Sequence, residues 1–153
     1  MTEDQLQFKI VTWFHNNIPT ERGYLYRTEN KTNRGAKDKG LGLIKGVSDL
    51  HYHTPCGRLL LIELKAPKMR HSVEHLEQQL KFIAQHEKRG AVGFFVFSLD
   101  QFQHIIANTV PDGLNILGFE MAKKSIRYVE DMVKMATILR NKTVKLDYNF
   151  LED

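Results

Sequence analysis

The sequence predicts an α/β fold in which a mixed four-stranded sheet is flanked by helices. Two β-prone runs at 47–53 and 58–66 are joined by Thr54-Pro55-Cys56-Gly57, which is typical of a β-hairpin. A helical pattern at 72–89 follows, and then an uncharged run at 92–97 with the composition of a buried strand. An antiparallel hairpin that leads through a helix to a further strand favours a mixed sheet.

Composition limits the class of protein. The 153 residues are 42% hydrophobic and 26% charged, which predicts a globular chain of single-domain size. The longest uncharged apolar stretch, 91–99, is about half of the ~18 residues that cross a bilayer, so we expect no membrane span. The acidic N-terminus predicts no secretory signal and hence a cytoplasmic location. Association with the nucleoid, or the host cytoplasm for a viral protein, is the alternative. One cysteine, Cys56, excludes an internal disulfide and a Cys-based zinc site.

The remaining elements follow from local signals. Thr2 and Gln5 form a capping-box pattern that predicts a first helix to about residue 17, with Glu3 on its buried side. A short strand is expected at 24–28, a basic loop at 30–46, and an N-cap at Ser72. A short helix at 100–107 and a longer one at 119–140 come next. Val144, Leu146, Tyr148 and Phe150 alternate, which indicates a terminal strand or an arm that seeks a partner.

Charge is concentrated in one part of the chain. The formal charge is only +4, but residues 22–70 hold eleven Lys/Arg against four Asp/Glu, or +7. A concentrated positive segment favours a polyanionic partner, because basic side chains displace condensed counterions. A solvated surface with no partner is the alternative interpretation.

Two acids and a lysine are predicted to meet at one edge of the sheet. Glu63 and Lys65 share a face of the second hairpin strand, because side chains alternate along a strand. Asp49 lies in the paired strand, at a separation that a hairpin closes to neighbouring positions. Carboxylates hold hard cations such as Mg²⁺, and a nearby ammonium stabilises developing charge. The group therefore indicates hydrolysis of phosphodiesters.

These residues resemble a known nuclease motif. Asp49 followed by Glu63-Leu64-Lys65 resembles the PD-(D/E)xK motif, and the longer string with Gly46-Val47-Ser48 and Gln79 is similar to the virus-type replication-repair nuclease branch, VRR-NUC. Ser48 stands where the motif has proline. The resemblance covers about residues 3–106. It implies a restriction-endonuclease-like core, αβββαβ, at 1–108, with 109–153 as a C-terminal helical extension that ends in a strand or arm.

The resemblance also implies roles. Asp49 and Glu63 would bind Mg²⁺ or Mn²⁺, with the backbone carbonyl of Leu64 as a further ligand, and Lys65 would assist the nucleophile. Glu3 would join the metal site, and Gln79 matches a glutamine of the family. Asn30 matches a recurrent asparagine. The implied activity is a DNA endonuclease, with branched DNA as a candidate substrate and a homodimer as the expected assembly. The expected phosphate contacts are Lys31, Arg34, Lys37, Lys39, Lys45, Lys68 and Arg70.

Other interpretations stay open on the residues alone. Glu63 and Lys65 could form an ordinary surface salt bridge. His51 with His53, and His71 with His75, have spacings that suit zinc, although we expect His71 to lie in a basic loop that contacts phosphate. A non-catalytic nucleic-acid-binding or regulatory module on the same fold, or a nuclease directed at RNA, would carry much of the same pattern.

Overall fold

The computed structural model describes residues 1–28, 46–109 and 115–151. The predicted basic loop at 30–46, with Asn30, therefore lies outside the described residues except for Gly46. Four α-helices occur in this part of the chain: α1 at Glu3–Asn17, α2 at Val73–Glu87, α3 at Leu99–Ala107 and α4 at Ile116–Ile138. A 3-10 helix spans Pro19–Tyr24. The strands are β1 at Leu25–Arg27, β2 at Leu50–His53, β3 at Leu59–Leu64, β4 at Arg70–Ser72, β5 at Val92–Val96 and β6 at Thr143–Lys145.

The main sheet has the predicted mixed pairing. Its strand order is β1-β2-β3-β5, with β1, β2 and β3 antiparallel and β3 parallel to β5. In the hairpin, Leu50 pairs with Ile62 and His51 with Leu61. Continuing this register by one residue sets Asp49 opposite Glu63, as the spacing predicts.

Side-chain caps define where the helices begin. Thr2 and Gln5 make a complete capping box at the start of α1, which confirms that prediction. Ser72 caps α2 by accepting from the backbone N–H of His75 at 3.3 Å. Asn115 accepts from the N–H of Gly118, so α4 begins at Ile116, three residues earlier than the apolar pattern predicts. The polar cap at Asn115 determines where α4 begins, and apolar periodicity does not predict this position.

The sheet is packed on both faces. Leu60, Ile62 and Leu64 of β3 enter a hydrophobic cluster with residues of α1 and α3. Leu61, on the opposite face, packs with residues of α2 and α4. Every residue of β3 after Leu59 is buried, because both faces are covered. Glu63 belongs to the face of Leu61.

Two polar side chains close the outer edge of β5. Ser125 of α4 accepts from the backbone N–H of Phe95 at 3.0 Å, and Gln101 of α3 bonds to both the N–H of Phe97 and the carbonyl of Phe95. Both side chains are fully or almost fully buried. An uncovered edge strand would leave its backbone groups unpaired or open to another chain. These two residues therefore terminate the sheet.

The C-terminal segment forms a second, two-stranded sheet. β6 pairs antiparallel with β4, matching His71 with Val144. Leu146 is buried in the same cluster as Leu61, and Tyr148 packs on Phe97 and Tyr128. The sequence predicts either a strand or a partner-seeking arm here. β6 confirms a strand at Val144, whereas Leu146, Tyr148 and Phe150 follow β6 without belonging to it. The prediction of a loop around His71 is wrong, because β6 pairs with this segment.

All four strands of the main sheet are shorter than predicted, and the two hairpin strands lose the most residues. Residues 47–49 precede β2 without belonging to it, and β3 ends at Leu64, so Lys65 follows the strand directly. Among the helices that the structure describes, none combines the length and apolar character needed to cross a bilayer.

Candidate active site

Asp49 is fixed against the end of β3 by a backbone hydrogen bond. Its Oδ2 accepts from the N–H of Leu64 at 2.7 Å. The carbonyl of Asp49 accepts from the N–H of Thr28 at 3.0 Å, and the hydroxyl of Thr28 donates to the carbonyl of Ser48. The segment before β2 is thus held on two sides, by Thr28 just after β1 and by β3.

Glu63 is a fully buried acid. Its exposed fraction is 0%, and neither carboxylate oxygen has a hydrogen-bond partner of good geometry among the described residues. Burial raises the pKa of Glu63 well above its ordinary value, the charge of Asp49 raises this pKa further, and Lys65 opposes the shift. The backbone N–H of Asp49 is close enough to favour the charged form without completing a hydrogen bond. An acid in this state is suited to a cation that would supply its missing partner.

Lys65 and Glu3 complete the charged cluster. Lys65 is only 1% exposed, and its backbone N–H donates to the carbonyl of Val96 at 2.9 Å. Glu3, in the first turn of α1, is partly buried, and burial raises its pKa; Lys65 lowers this pKa, and Asp49 raises it. Three acids and one lysine therefore interact here. Their excess of negative charge favours a bound cation.

Gln79 reaches the same region from α2. It is 4% exposed, and its Nε2 lies 3.2 Å from His75 Nε2 one turn earlier. Gly46 explains the close approach of the helix, because a Cβ at Gly46 would lie 2.8 Å from the carbonyl oxygen of Gln78. Gly46 also has φ of +81°, which favours glycine. The turn of α2 around Gln79 is thereby packed on the chain three residues before Asp49.

Two histidines border the cluster. Burial lowers the pKa of His71 to about 4, the charge of Lys65 lowers it further, and a contact with the carbonyl of Ala66 opposes the shift. Burial also lowers the pKa of His75, with Lys65 lowering and Asp49 raising it. Both rings are therefore neutral near pH 7. The spacing of Gln79 from His75, four residues on one helix face, is the sequence signal that could have linked them.

Of the seven expected phosphate contacts, only Lys68 and Arg70 lie among the described residues. Lys31, Arg34, Lys37, Lys39 and Lys45 lie outside the described residues. Lys68 is exposed at φ +64°, and its N–H donates to the carbonyl of Leu146 at 3.0 Å. Arg70 is exposed, but its guanidinium donates to the hydroxyl and carbonyl of Thr143. Lys68 therefore presents its ammonium to solvent, whereas Arg70 is engaged between β4 and β6.

The histidine pairs do not extend to a zinc site. Within 1–28, 46–109 and 115–151, no three His, Cys, Asp or Glu side chains form a group that could hold a metal. His53 Nε2 instead lies 2.9 Å from the hydroxyl of Tyr26. The same finding means that Glu3 is not grouped with Asp49 and Glu63 as a third side-chain ligand. Mg²⁺, however, commonly binds through one or two carboxylates and keeps several waters.

A solved structure shares this arrangement of elements. A protein described as "VRR_NUC domain protein" matches 71% of this chain and 87% of its own, with a TM-score of 0.58 and 21% sequence identity. The chain has a VRR-NUC-like fold. The mixed sheet flanked by helices is the restriction-endonuclease-like architecture that the sequence predicts. Neither the protein-family models nor the curated proteins gave a match. The VRR-NUC-like fold thus rests on the likeness between the two structures.

Proposed function

We propose that the chain is a divalent-metal-dependent nuclease that hydrolyses phosphodiester bonds in DNA. One observation carries the proposal: the carboxylate of Glu63 is fully buried without a hydrogen-bond partner in the described chain, next to Asp49 and Lys65. A stable fold rarely keeps an acid in such a state for packing alone. In a VRR-NUC-like fold, a metal site at this position is the simplest account.

The residues present fit Mg²⁺ or Mn²⁺. Asp49 and Glu63 would hold the ion, with the backbone carbonyl of Leu64 as a further ligand, and Glu3 would add negative charge. When bound, such an ion supplies a more acidic water and neutralises charge on the phosphate. The Leu64 N–H keeps the Asp49 carboxylate in one orientation. Lys65 is only 1% exposed, so its ammonium would stabilise negative charge on the phosphate in a region with little competing water.

We propose DNA as the substrate because of charge and fold together. The segment 22–70, which contains both acids, carries +7, so a polyanion would be attracted towards the site. Lys68, three residues after Lys65, is the exposed cation nearest in sequence to the site. Binding should weaken steeply with added salt, as expected for phosphate contacts.

We also propose a homodimer acting on branched DNA, because two-fold symmetry presents two sites to two strands. The C-terminal segment gives this proposal no support, since Val144 and Leu146 are buried within their own chain. Sedimentation at micromolar concentration tests it, and a monomer there would remove it.

Cleavage assays test the nuclease directly. Supercoiled plasmid, a four-way junction and a matched RNA are incubated with Mg²⁺, Mn²⁺ or EDTA. Asp49→Asn and Lys65→Met should each lower the rate on the order of 100-fold or more, and EDTA should abolish it. Lys81→Met, an exposed lysine of α2, serves as the matched control and should cut like the wild type.

The outcomes separate the alternatives. Salt-sensitive DNA binding with no cleavage in any metal identifies a non-catalytic module. Cleavage of RNA alone moves the activity to RNA. Site variants that cut as well as the wild type show that the assigned residues are wrong.

A further inference from the structure

The amide of Gln79 is buried, and among the described residues its nitrogen has a hydrogen-bond partner whereas its oxygen has none. Its Oε1 has no hydrogen-bond partner among the described residues, although the side chain is only 4% exposed. Its Nε2 lies 3.2 Å from Nε2 of His75. A buried acceptor without a donor calls for an explanation, and a donor that arrives with substrate or water is one.

The contact with His75 fixes the chemistry of both groups. An amide nitrogen only donates, so Nε2 of His75 must accept, and the neutral ring then carries its proton on Nδ1. His75 is exposed, and it interacts electrostatically with both Lys65 and Asp49. The pair therefore lies at the border between the acidic cluster and solvent.

The backbone beneath Gln79 has little freedom to move. Gly46 packs against the carbonyl of Gln78 and the backbone nitrogen of Gln79, closely enough that a Cβ would lie 2.8 Å from the first of these and 3.5 Å from the second. With the helix turn held in this way, rotation of the Gln79 side chain is what remains to be fixed. His75 is the partner that the structure supplies for its amide nitrogen.

We propose that His75 is a positioning residue, which holds the Gln79 amide so that Oε1 presents an acceptor to the reacting water. This role rests on the proposed nuclease function. It makes His75 important for turnover without assigning it any contact with the metal or the phosphate.

The hydrogen bond itself is tested without any cleavage. Long-range ¹H–¹⁵N spectra of the histidine rings should show His75 protonated on Nδ1, with an Nε2 resonance that shifts in Gln79→Ala. A ring protonated on Nε2, or an Nε2 resonance unchanged by Gln79→Ala, would overturn the proposal.

Kinetics then test what the hydrogen bond does. His75→Ala should lower kcat about three- to ten-fold, the size expected for one hydrogen bond, with KM little changed. Because His75 acts through Gln79, the double variant with Gln79→Ala should be no slower than Gln79→Ala alone. His75→Gln, which keeps an acceptor one turn from Gln79, should restore most of the rate. His104→Ala, which removes an exposed helix histidine on α3, is the control and should change nothing.

The results distinguish two kinds of failure. A wild type that cuts nucleic acid, combined with additive losses in the double variant or no rescue by His75→Gln, overturns the positioning role alone. A wild type that cuts nothing overturns the proposed nuclease and this role with it.

Discussion

Replacing Glu63 by glutamine should stabilise the metal-free protein. The change keeps the size of the side chain and removes a charge that is buried with an exposed fraction of 0% and no hydrogen-bond partner among the described residues. The raised pKa of Glu63, caused first by burial, means that the folded chain holds this proton more tightly than the unfolded chain. The stability that the protonated acid contributes is present below its ordinary pKa of 4.5 and is lost as pH rises through the folded value.

The size of the effect follows from the state of the carboxylate. A buried polar group without its partner costs about 1–3 kcal/mol, and a charged one costs at least this much. At pH 8 without metal, Glu63→Gln should therefore exceed the wild type by about 1–3 kcal/mol in free energy of unfolding. This corresponds to a Tm increase of about 3–9 °C for a chain of this length. The gap should shrink as pH falls towards 5.

Metal near saturation should reverse the order. A cation that binds only the folded wild type adds about 1.4 kcal/mol at ten times its Kd, which narrows the gap, and about 4.1 kcal/mol at about 1,000 times its Kd, which exceeds it. Urea unfolding followed by circular dichroism, at pH 5 and pH 8 with EDTA or with Mg²⁺ or Mn²⁺, measures the free energy of unfolding of each variant under each condition. Glu74→Gln, which removes an exposed acid of α2, is the control and should follow the wild type. The reasoning fails if Glu63→Gln is no more stable than the wild type at pH 8 in EDTA, or if metal stabilises both equally.

Three smaller perturbations test the surroundings of the site. Gly46→Ala should lower the free energy of unfolding by about 2 kcal/mol or more in urea, because the new Cβ would lie 2.8 Å from the carbonyl oxygen of Gln78 and φ is +81°. Gly57→Ala, with φ of +87° and no atom within 4 Å of the new Cβ, is the control and should show only the cost of the positive φ. Equal losses in the two variants would contradict the close packing at Gly46. Burial lowers the pKa of His71 from 6.5 to about 4, so the unfolded chain binds a proton that the folded chain excludes. As pH falls from 7.5 to 4.5, the free energy of unfolding of the wild type should therefore drop by up to about 3 kcal/mol more than that of His71→Asn. Equal drops in the two proteins would show that this ring is not the cause. Ser125→Ala leaves a buried N–H of β5 without its acceptor, so we expect a loss of about 1–3 kcal/mol and faster hydrogen exchange at that amide.

The main sheet was predictable because its signals are local. The hairpin turn, the alternation around Glu63 and the charge-free run of β5 are each contained within a short stretch of sequence, and together they imply the pairing. The hairpin separation predicts Asp49 close to Glu63, and the register of β2 with β3 sets the two residues opposite each other. Capping residues at Thr2 and Ser72 fixed two helix starts for the same reason.

The second sheet was not predictable in this way. β4 and β6 have three residues each and are separated by about seventy positions, so neither segment carries a sequence signal that predicts its partner. Between them in the chain lies α4, which packs along β5, where Ser125 accepts from the strand backbone. Long-range contacts of this kind depend on the assembled fold and have no local period, which is why the final apolar residues could also be interpreted as an arm.

The site is unusual because it places charged residues in a fully buried part of the sheet. β3 is apolar through four residues, and burial then continues unchanged through Glu63, Leu64 and Lys65. A strand that needed only packing would place an apolar residue at 63, and a surface ion pair would leave both charges in water. Their burial excludes the surface salt bridge that the sequence left open. A buried carboxylate without a partner among the described residues lowers stability. If the proposed function is correct, a cation between Asp49 and Glu63 would remove this conflict.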